Sequence, residues 1–274
     1  MNLEYSIESD DGTKVWAGEW GNSDGPTVLL IHGLMQCHMI WQAQLESDLA
    51  DEFRLIAIDV RGHGQSDKPA NLSAYQDGRH WADDIAAVIK KLDLDKPVLV
   101  SLSYGGLIIL DYCLRHGCGN ISGINFVDAM VRKMGESELS TPAMAEIGPG
   151  FLSEKLPTRI AAVRAGIRAS TANRMDQDIF ETWLAFSMLV PRHVLHGMLG
   201  RQLDFDLVLD SLSVPALVTH GTADAVIPMA MAEYAMAHIP EAELSIYQGL
   251  GHSTCFEDSA RFNRELAALV RRCG

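Results

Sequence analysis

The chain has 274 residues, enough to bury a substantial core as one elaborated domain. Its 47% hydrophobic and 21% charged residues exclude a disordered or fibrous protein. With 36 acidic against 22 basic residues the formal charge is −14, which repels phosphate backbones and anionic lipid, so neither nucleic acid nor a membrane surface is an expected partner.

The opening residues MNLEYSIESDDG carry neither a basic start nor an apolar core of the kind a secretory signal needs. No run of about 18 apolar residues is present to span a bilayer, and the expected location is cytoplasmic. The five cysteines, Cys37, Cys113, Cys118, Cys255 and Cys273, are odd in number, widely spread and free of any C-x-x-C pair. They read as reduced structural thiols.

In chain order, weak alternation at Leu3, Tyr5 and Ile7, then Val15, Trp16 and Trp20, around Asp10-Asp11-Gly12 predicts a β-hairpin. A short buried strand follows at 28–31, a helix at about 39–50, and a strand at 55–60 that ends in Arg61-Gly62-His63-Gly64. Next come a helix at about 81–92, a strand at 97–100, a helix at about 104–115 and a strand at 121–127. This alternation predicts a mostly parallel sheet with helices on both faces. Residues 130–210 contain no convincing strand and read as helices broken at Gly148-Pro149-Gly150, Pro157, Pro191 and Gly200. The α/β rhythm resumes with a strand at 216–219, a helix near 229–237, a strand at 243–247 and a helix at about 259–271. The expected division is an α/β core of 1–129 and 211–274 with a helical cap of 130–210.

The strand at 97–100 runs into Ser101-Leu102-Ser103-Tyr104-Gly105-Gly106. A serine at the apex of a strand-to-helix turn, with glycine two residues on, is the geometry of a nucleophile elbow. The tight bend requires small neighbours and pushes the apical side chain out above the sheet. Ser103 fits the apex; Ser101 stands where the strict G-x-S-x-G motif has glycine, and a register centred on Ser101 lacks the downstream glycine. A serine hydroxyl needs a base to take its proton, and the base needs a carboxylate to orient it. Asp224 lies in the loop after the strand at 216–219, and His252 in the loop after the last strand. All three candidates therefore fall at carboxyl ends of parallel strands, where open α/β sheets bind ligands. Asp128, at the end of the strand 121–127, is the rival for the acid.

The chain resembles the α/β-hydrolase superfamily over nearly its whole length, and within it the small cofactor-free carboxylesterases, serine perhydrolase/haloperoxidases and C–C bond hydrolases. Four segments carry the resemblance: HGLMQCHMIW (32–41), DVRGHGQSDKP (59–69), SLSYGG (101–106), and HGTADAVIP (220–228) paired with GLGHSTCFEDSARFN (249–263). HGTADAVIP matches the superfamily's acid loop, which favours Asp224 over Asp128. The resemblance implies an α/β-hydrolase fold, a Ser103–His252–Asp224 triad, and an oxyanion hole built from the backbone N–H groups of Leu34 and Tyr104. It implies no metal and no organic cofactor. The expected activity is that of a serine esterase acting on a small-molecule carboxylic ester, small to medium and largely apolar. The same residues would serve perhydrolysis or C–C bond hydrolysis, and a ligand receptor of the same fold is the non-enzymatic alternative. Epoxide hydrolysis and dehalogenation are disfavoured, because their covalent intermediate needs a carboxylate where Ser103 stands.

Cys37, Phe180, Trp183 and Phe186 are the expected substrate-binding residues, although Phe180, Trp183, Phe186, Met188 and Leu189 also recur at the helical spacing of core packing. His32, Asp59, Arg61 and Asp67 read as loop braces and Trp41 as a packing residue. His193 and His196, i and i+3, lack a third ligand and read as ordinary helix histidines. The oligomeric state is not legible in the sequence.

Overall fold

The computed structural model describes residues 3–133 and 140–274; residues 134–139 of the expected cap lie outside them. The eight strands are β1 (Leu3–Glu8), β2 (Lys14–Gly21), β3 (Thr27–Ile31), β4 (Arg54–Asp59), β5 (Val98–Leu102), β6 (Gly123–Val127), β7 (Ala216–Gly221) and β8 (Glu243–Tyr247). They form one sheet in the order β1-β2-β4-β3-β5-β6-β7-β8. β2 is antiparallel to both β1 and β4, and every other neighbouring pair is parallel.

Burial explains which strands were easiest to read. β3, β5 and β6 are buried at every position, because parallel strands covered by helices on both faces become continuous aliphatic runs. At the two edges, β1 and β8 leave most positions at least partly exposed. Trp41 packs as expected, fully buried against Phe262 with ring centroids 6.5 Å apart.

Two helical expectations need correction. The helix at 39–50 is instead a 3₁₀ turn His38–Trp41 followed by two single turns, Gln42–Leu45 and Leu49–Glu52. The Ser47 hydroxyl donates to the Gln44 carbonyl (2.8 Å) and accepts from the Leu49 N–H (3.2 Å). It thereby offers the backbone an alternative to the helical ladder. Conversely, Gly148-Pro149-Gly150 does not break a helix, because Pro142–Phe151 runs through it. Pro149 lies in the last turn, where its missing donor affects one bond near a terminus. A Cβ at Gly150 would lie 2.5 Å from that of Ala162, so glycine there lets the next helix, Leu156–Ala169, pack closely. Pro157 opens that helix, and Pro191 and Gly200 flank Arg192–Leu199.

Between β6 and β7 the remaining helices are Gln177–Met188 and Asp206–Asp210. No helix among the described residues is long and apolar enough to cross a membrane.

Candidate active site

β5 ends at Leu102, and Ser103 takes a left-handed backbone with φ of 55°, a conformation costly for a side chain other than glycine. Three hydrogen bonds hold it there. The Ser103 N–H donates to the Val127 carbonyl (3.0 Å), and the Ser103 carbonyl accepts from the Gly106 N–H (3.1 Å) and the Met130 N–H (2.9 Å). Gly105 is required by space, since a Cβ there would meet the Ile31 carbonyl oxygen at 2.7 Å. Ser101, the departure from the strict motif, is fully buried with its hydroxyl turned to the Asn125 carbonyl at 3.5 Å.

The His252 loop meets the Asp224 loop on the same side of the sheet. His252 Nδ1 lies 2.7 Å from Asp224 Oδ2, while Asp224 Oδ1 accepts from the N–H groups of Val226 (2.7 Å) and Ile227 (2.9 Å). With the carboxylate accepting, Nδ1 carries the proton and Nε2 keeps its lone pair. Burial alone pushes the imidazole down, but the charge and hydrogen bond of Asp224 outweigh it and leave His252 above its ordinary value.

Asp128 is not bonded to the imidazole. Its Oδ1 accepts from the Gly221 N–H (3.0 Å), and its Oδ2 from the N–H (3.0 Å) and hydroxyl (2.8 Å) of Thr254. Burial, and then the charge of Asp224, pushes its carboxyl up to about 6.

Ser103 and His252 line one cavity of about 180 Å³. Its wall is mostly apolar: Met144, Phe151, Val163 and Ile167 come from the helices after β6, joined by Trp183 and Phe186. Leu34 and Tyr104 line it too, and the backbone N–H of neither has a hydrogen-bond acceptor among the described residues. The chemistry this permits is attack by the Ser103 hydroxyl with His252, which opens onto the same cavity, as the base, and with two unpaired main-chain donors on the cavity wall.

The family model for the alpha/beta hydrolase fold matches residues 26–259. The chain belongs to that family. Among solved structures, the esterase RhEst1 from Rhodococcus sp. ECU1013 superposes with a TM-score of 0.92 at 33% identity, covering 99% of each chain. Among curated proteins, a non-heme haloperoxidase from Rhodococcus erythropolis is 28% identical over 96% of this chain and 98% of its own. A bifunctional esterase/perhydrolase from Acinetobacter calcoaceticus is 25% identical over 97% of this chain and 99% of its own.

In this alpha/beta hydrolase the loop carrying Leu34 is braced by two neutral histidines of fixed tautomer. His32 Nε2 accepts from the Val60 N–H (3.0 Å), so its Nδ1 donates to the Gly33 carbonyl (2.8 Å). His63 Nε2 accepts from the Met35 N–H (3.1 Å), and its Nδ1 donates to the Arg61 carbonyl (3.1 Å). Burial lowers His32 to about 4 and His63 to about 3. The 59–67 loop is tied in as its sequence suggested. Asp59 accepts from the His38 N–H (2.7 Å) and the Gln65 N–H (2.8 Å), Arg61 pairs with Asp84 (2.6 Å) and Asp11 (2.8 Å), and Asp67 accepts from the Lys14 N–H (2.9 Å).

Of the four residues expected to bind substrate, Trp183 and Phe186 line the cavity and Cys37 and Phe180 do not. Phe180 turns instead beneath the guanidinium groups of Arg164 and Arg168, 5.3 and 5.2 Å from its ring centre. Cys37 is buried ahead of the 3₁₀ turn, and burial followed by the Asp59 charge pushes its thiol up to about 12, the state of an inert thiol.

Two groups among the described residues bring three potential metal-ligand atoms within 4.8 Å: Cys37, His38 and Asp59, and Asp128, His220 and Asp224. The carboxylates in both are already engaged by the N–H donors described above. His193 belongs to neither group and contacts the Pro69 carbonyl at 3.0 Å. Gln36 and Met35 also line the cavity. The sequence signal for them was their place in HGLMQ, directly after Gly33-Leu34.

Proposed function

We propose that this alpha/beta hydrolase is a serine carboxylesterase. Ser103 Oγ attacks the ester carbonyl carbon while His252 Nε2 takes the hydroxyl proton. The negative charge formed on the carbonyl oxygen is met by the N–H groups of Leu34 and Tyr104, each such donor typically worth roughly 3 kcal/mol of transition-state stabilisation. The carbon–oxygen bond to the alcohol then breaks, and His252 returns its proton to the departing alkoxide. Water, deprotonated by the same imidazole, attacks the acyl-enzyme and releases the carboxylic acid and free Ser103. Asp224 holds the imidazole in the required tautomer and stabilises its cation. The helices of 130–210 act as a cap, and their apolar side chains favour small, largely apolar acyl and alcohol groups.

The observation that carries this reading is that Ser103 and His252 open onto one cavity while Asp224 grips His252 at 2.7 Å. A serine-directed phosphonate, with mass mapping of the adduct, tests it directly. The adduct is expected on Ser103, and Ser103→Ala should lose on the order of a millionfold in turnover of p-nitrophenyl esters. Labelling elsewhere, or retention of most ester hydrolysis by the variant, overturns the assignment. The haloperoxidase and esterase/perhydrolase relatives support a second activity of the same acyl-enzyme, in which hydrogen peroxide replaces water and a peracid leaves. Peroxide-dependent halide oxidation in acetate buffer would report it.

A further inference from the structure

Gln36 is nine-tenths buried and lines the same cavity as Ser103. Its carboxamide has a defined orientation. The Gly33 N–H donates to Gln36 Oε1 at 2.7 Å, and the flipped amide would set N–H against N–H, so the NH₂ group is the end left over. That group has no acceptor among the described residues. The anchored oxygen lies near the nucleophile: a Cβ built on Gly33 would fall 2.8 Å from Ser103 Cβ and 2.9 Å from Gln36 Oε1, so the two side chains flank a single point. The Ser187 hydroxyl, which lines the same cavity, is committed, since it donates to the Met35 carbonyl (2.8 Å).

An amide donor that the protein leaves without a partner is open to a bound molecule, and a site built around one discriminates against molecules that leave it unpaired. Resting on the esterase reading above, we infer that the Gln36 NH₂ group is a specificity-determining donor. It selects esters that carry a hydrogen-bond acceptor, such as an ether, hydroxyl or keto oxygen, within a bond or two of the reacting carbonyl. Oε1 keeps the oxyanion loop in place, and the NH₂ group of the same side chain reads the substrate. The preferred substrates are therefore short oxygenated acyl esters.

The test compares p-nitrophenyl methoxyacetate with p-nitrophenyl butyrate, which match in length and differ by an ether oxygen in place of a methylene. Because the methoxyacetate is intrinsically the more reactive ester, the quantity read is the ratio of kcat/KM for the two substrates in each variant relative to the wild type. Gln36→Met removes both ends of the amide, whereas Gln36→Glu keeps an oxygen for the Gly33 N–H and removes the donor. In both, the methoxyacetate-to-butyrate ratio should fall roughly tenfold, the size expected for loss of one hydrogen bond. Unchanged ratios, with both substrates slowed in parallel, would overturn the inference and leave Gln36 as a loop anchor. If one variant is insoluble, the other decides. Wild-type protein that hydrolyses neither ester and takes no phosphonate on Ser103 would sink the esterase reading and this inference with it, whereas an intact Ser103 esterase with unmoved ratios sinks this inference alone.

Discussion

Asp128 grips Thr254 twice with one carboxylate oxygen, through the main-chain N–H at 3.0 Å and the hydroxyl at 2.8 Å. Thr254 lies two residues beyond His252, and the other oxygen of Asp128 takes the Gly221 N–H at the end of β7 (3.0 Å). One buried carboxylate thus joins the ends of β6 and β7 to the loop that carries the imidazole. Asp128→Asn must set an NH₂ group against at least one of these donors. It is expected to cost about 1–3 kcal/mol of stability, the penalty for buried polar groups left unpaired. It should also lower kcat more than it raises KM, because a loosened His252 fails in the transition state. Denaturant unfolding and steady-state kinetics check both, and unaltered stability and kcat would refute the positioning role.

The pH profile separates Asp128 from Asp224. An imidazolium cannot act as a base, so kcat/KM should fall as pH drops through the pKa of free-enzyme His252. Asp224 raises that pKa, which places the acidic limb above the ordinary histidine value of 6.5. Asp224→Asn removes the raising charge and leaves burial, which acts in the opposite direction. Its limb should therefore move to lower pH as turnover collapses. Asp128 also raises His252, as a smaller contributor, so Asp128→Asn should shift the limb the same way by less. A larger shift in Asp128→Asn would reverse the two roles.

The elements carrying this site were legible because each stands where a parallel strand of the sheet gives way to a loop or turn. β5 opens with aliphatic Val98-Leu99-Val100 and β7 with Ala216-Leu217-Val218; each run then turns polar, and Ser103 and Asp224 lie beyond it. Which side chains of the segment after β6 face the cavity was not legible. Phe180 and Trp183 share one helix, yet Trp183 reaches the cavity and Phe180 packs under Arg164 and Arg168. The difference is set by how that helix crosses Leu156–Ala169, a relation between helices that the periodicity of either alone does not contain. Gln36 escaped notice for another reason. Its importance comes from the bond to the Gly33 N–H, which depends on the left-handed turn at Met35, with φ of 61°.

Leu34 narrows the cavity on the side of the 32–36 loop. Its side chain lines the cavity, and the loop reads Gly33-Leu34 where a run of glycines would leave more room. Esters of tertiary alcohols should therefore be poor substrates, with tert-butyl acetate turned over at least roughly tenfold more slowly than ethyl acetate beyond their intrinsic difference, a modest steric penalty. Leu34→Gly keeps the N–H donor and should narrow that gap. Efficient hydrolysis of tert-butyl acetate by the wild-type protein would defeat the argument.

The segment after β6 is fastened to the elbow by a buried ion pair. Arg201 Nη2 lies 2.5 and 2.6 Å from the two oxygens of Asp111, and both side chains are almost wholly buried. The same guanidinium reaches the Tyr104 hydroxyl at 3.4 Å, and that hydroxyl donates to the Met198 carbonyl at 2.9 Å. Asp111 belongs to the helix Gly105–His116 that begins at the elbow, and Tyr104 immediately follows the candidate nucleophile. Arg201→Met leaves the Asp111 charge buried without its partner and should cost about 3–5 kcal/mol. Asp111→Leu combined with Arg201→Met removes both charges, and well-packed apolar replacements of buried pairs are often neutral or stabilising. The double variant should therefore recover most of the stability lost in the single one. Urea unfolding of the two single variants, the double variant and the wild type gives the coupling energy, and a double variant no more stable than Arg201→Met would show that the pair is not what holds the segment to the elbow.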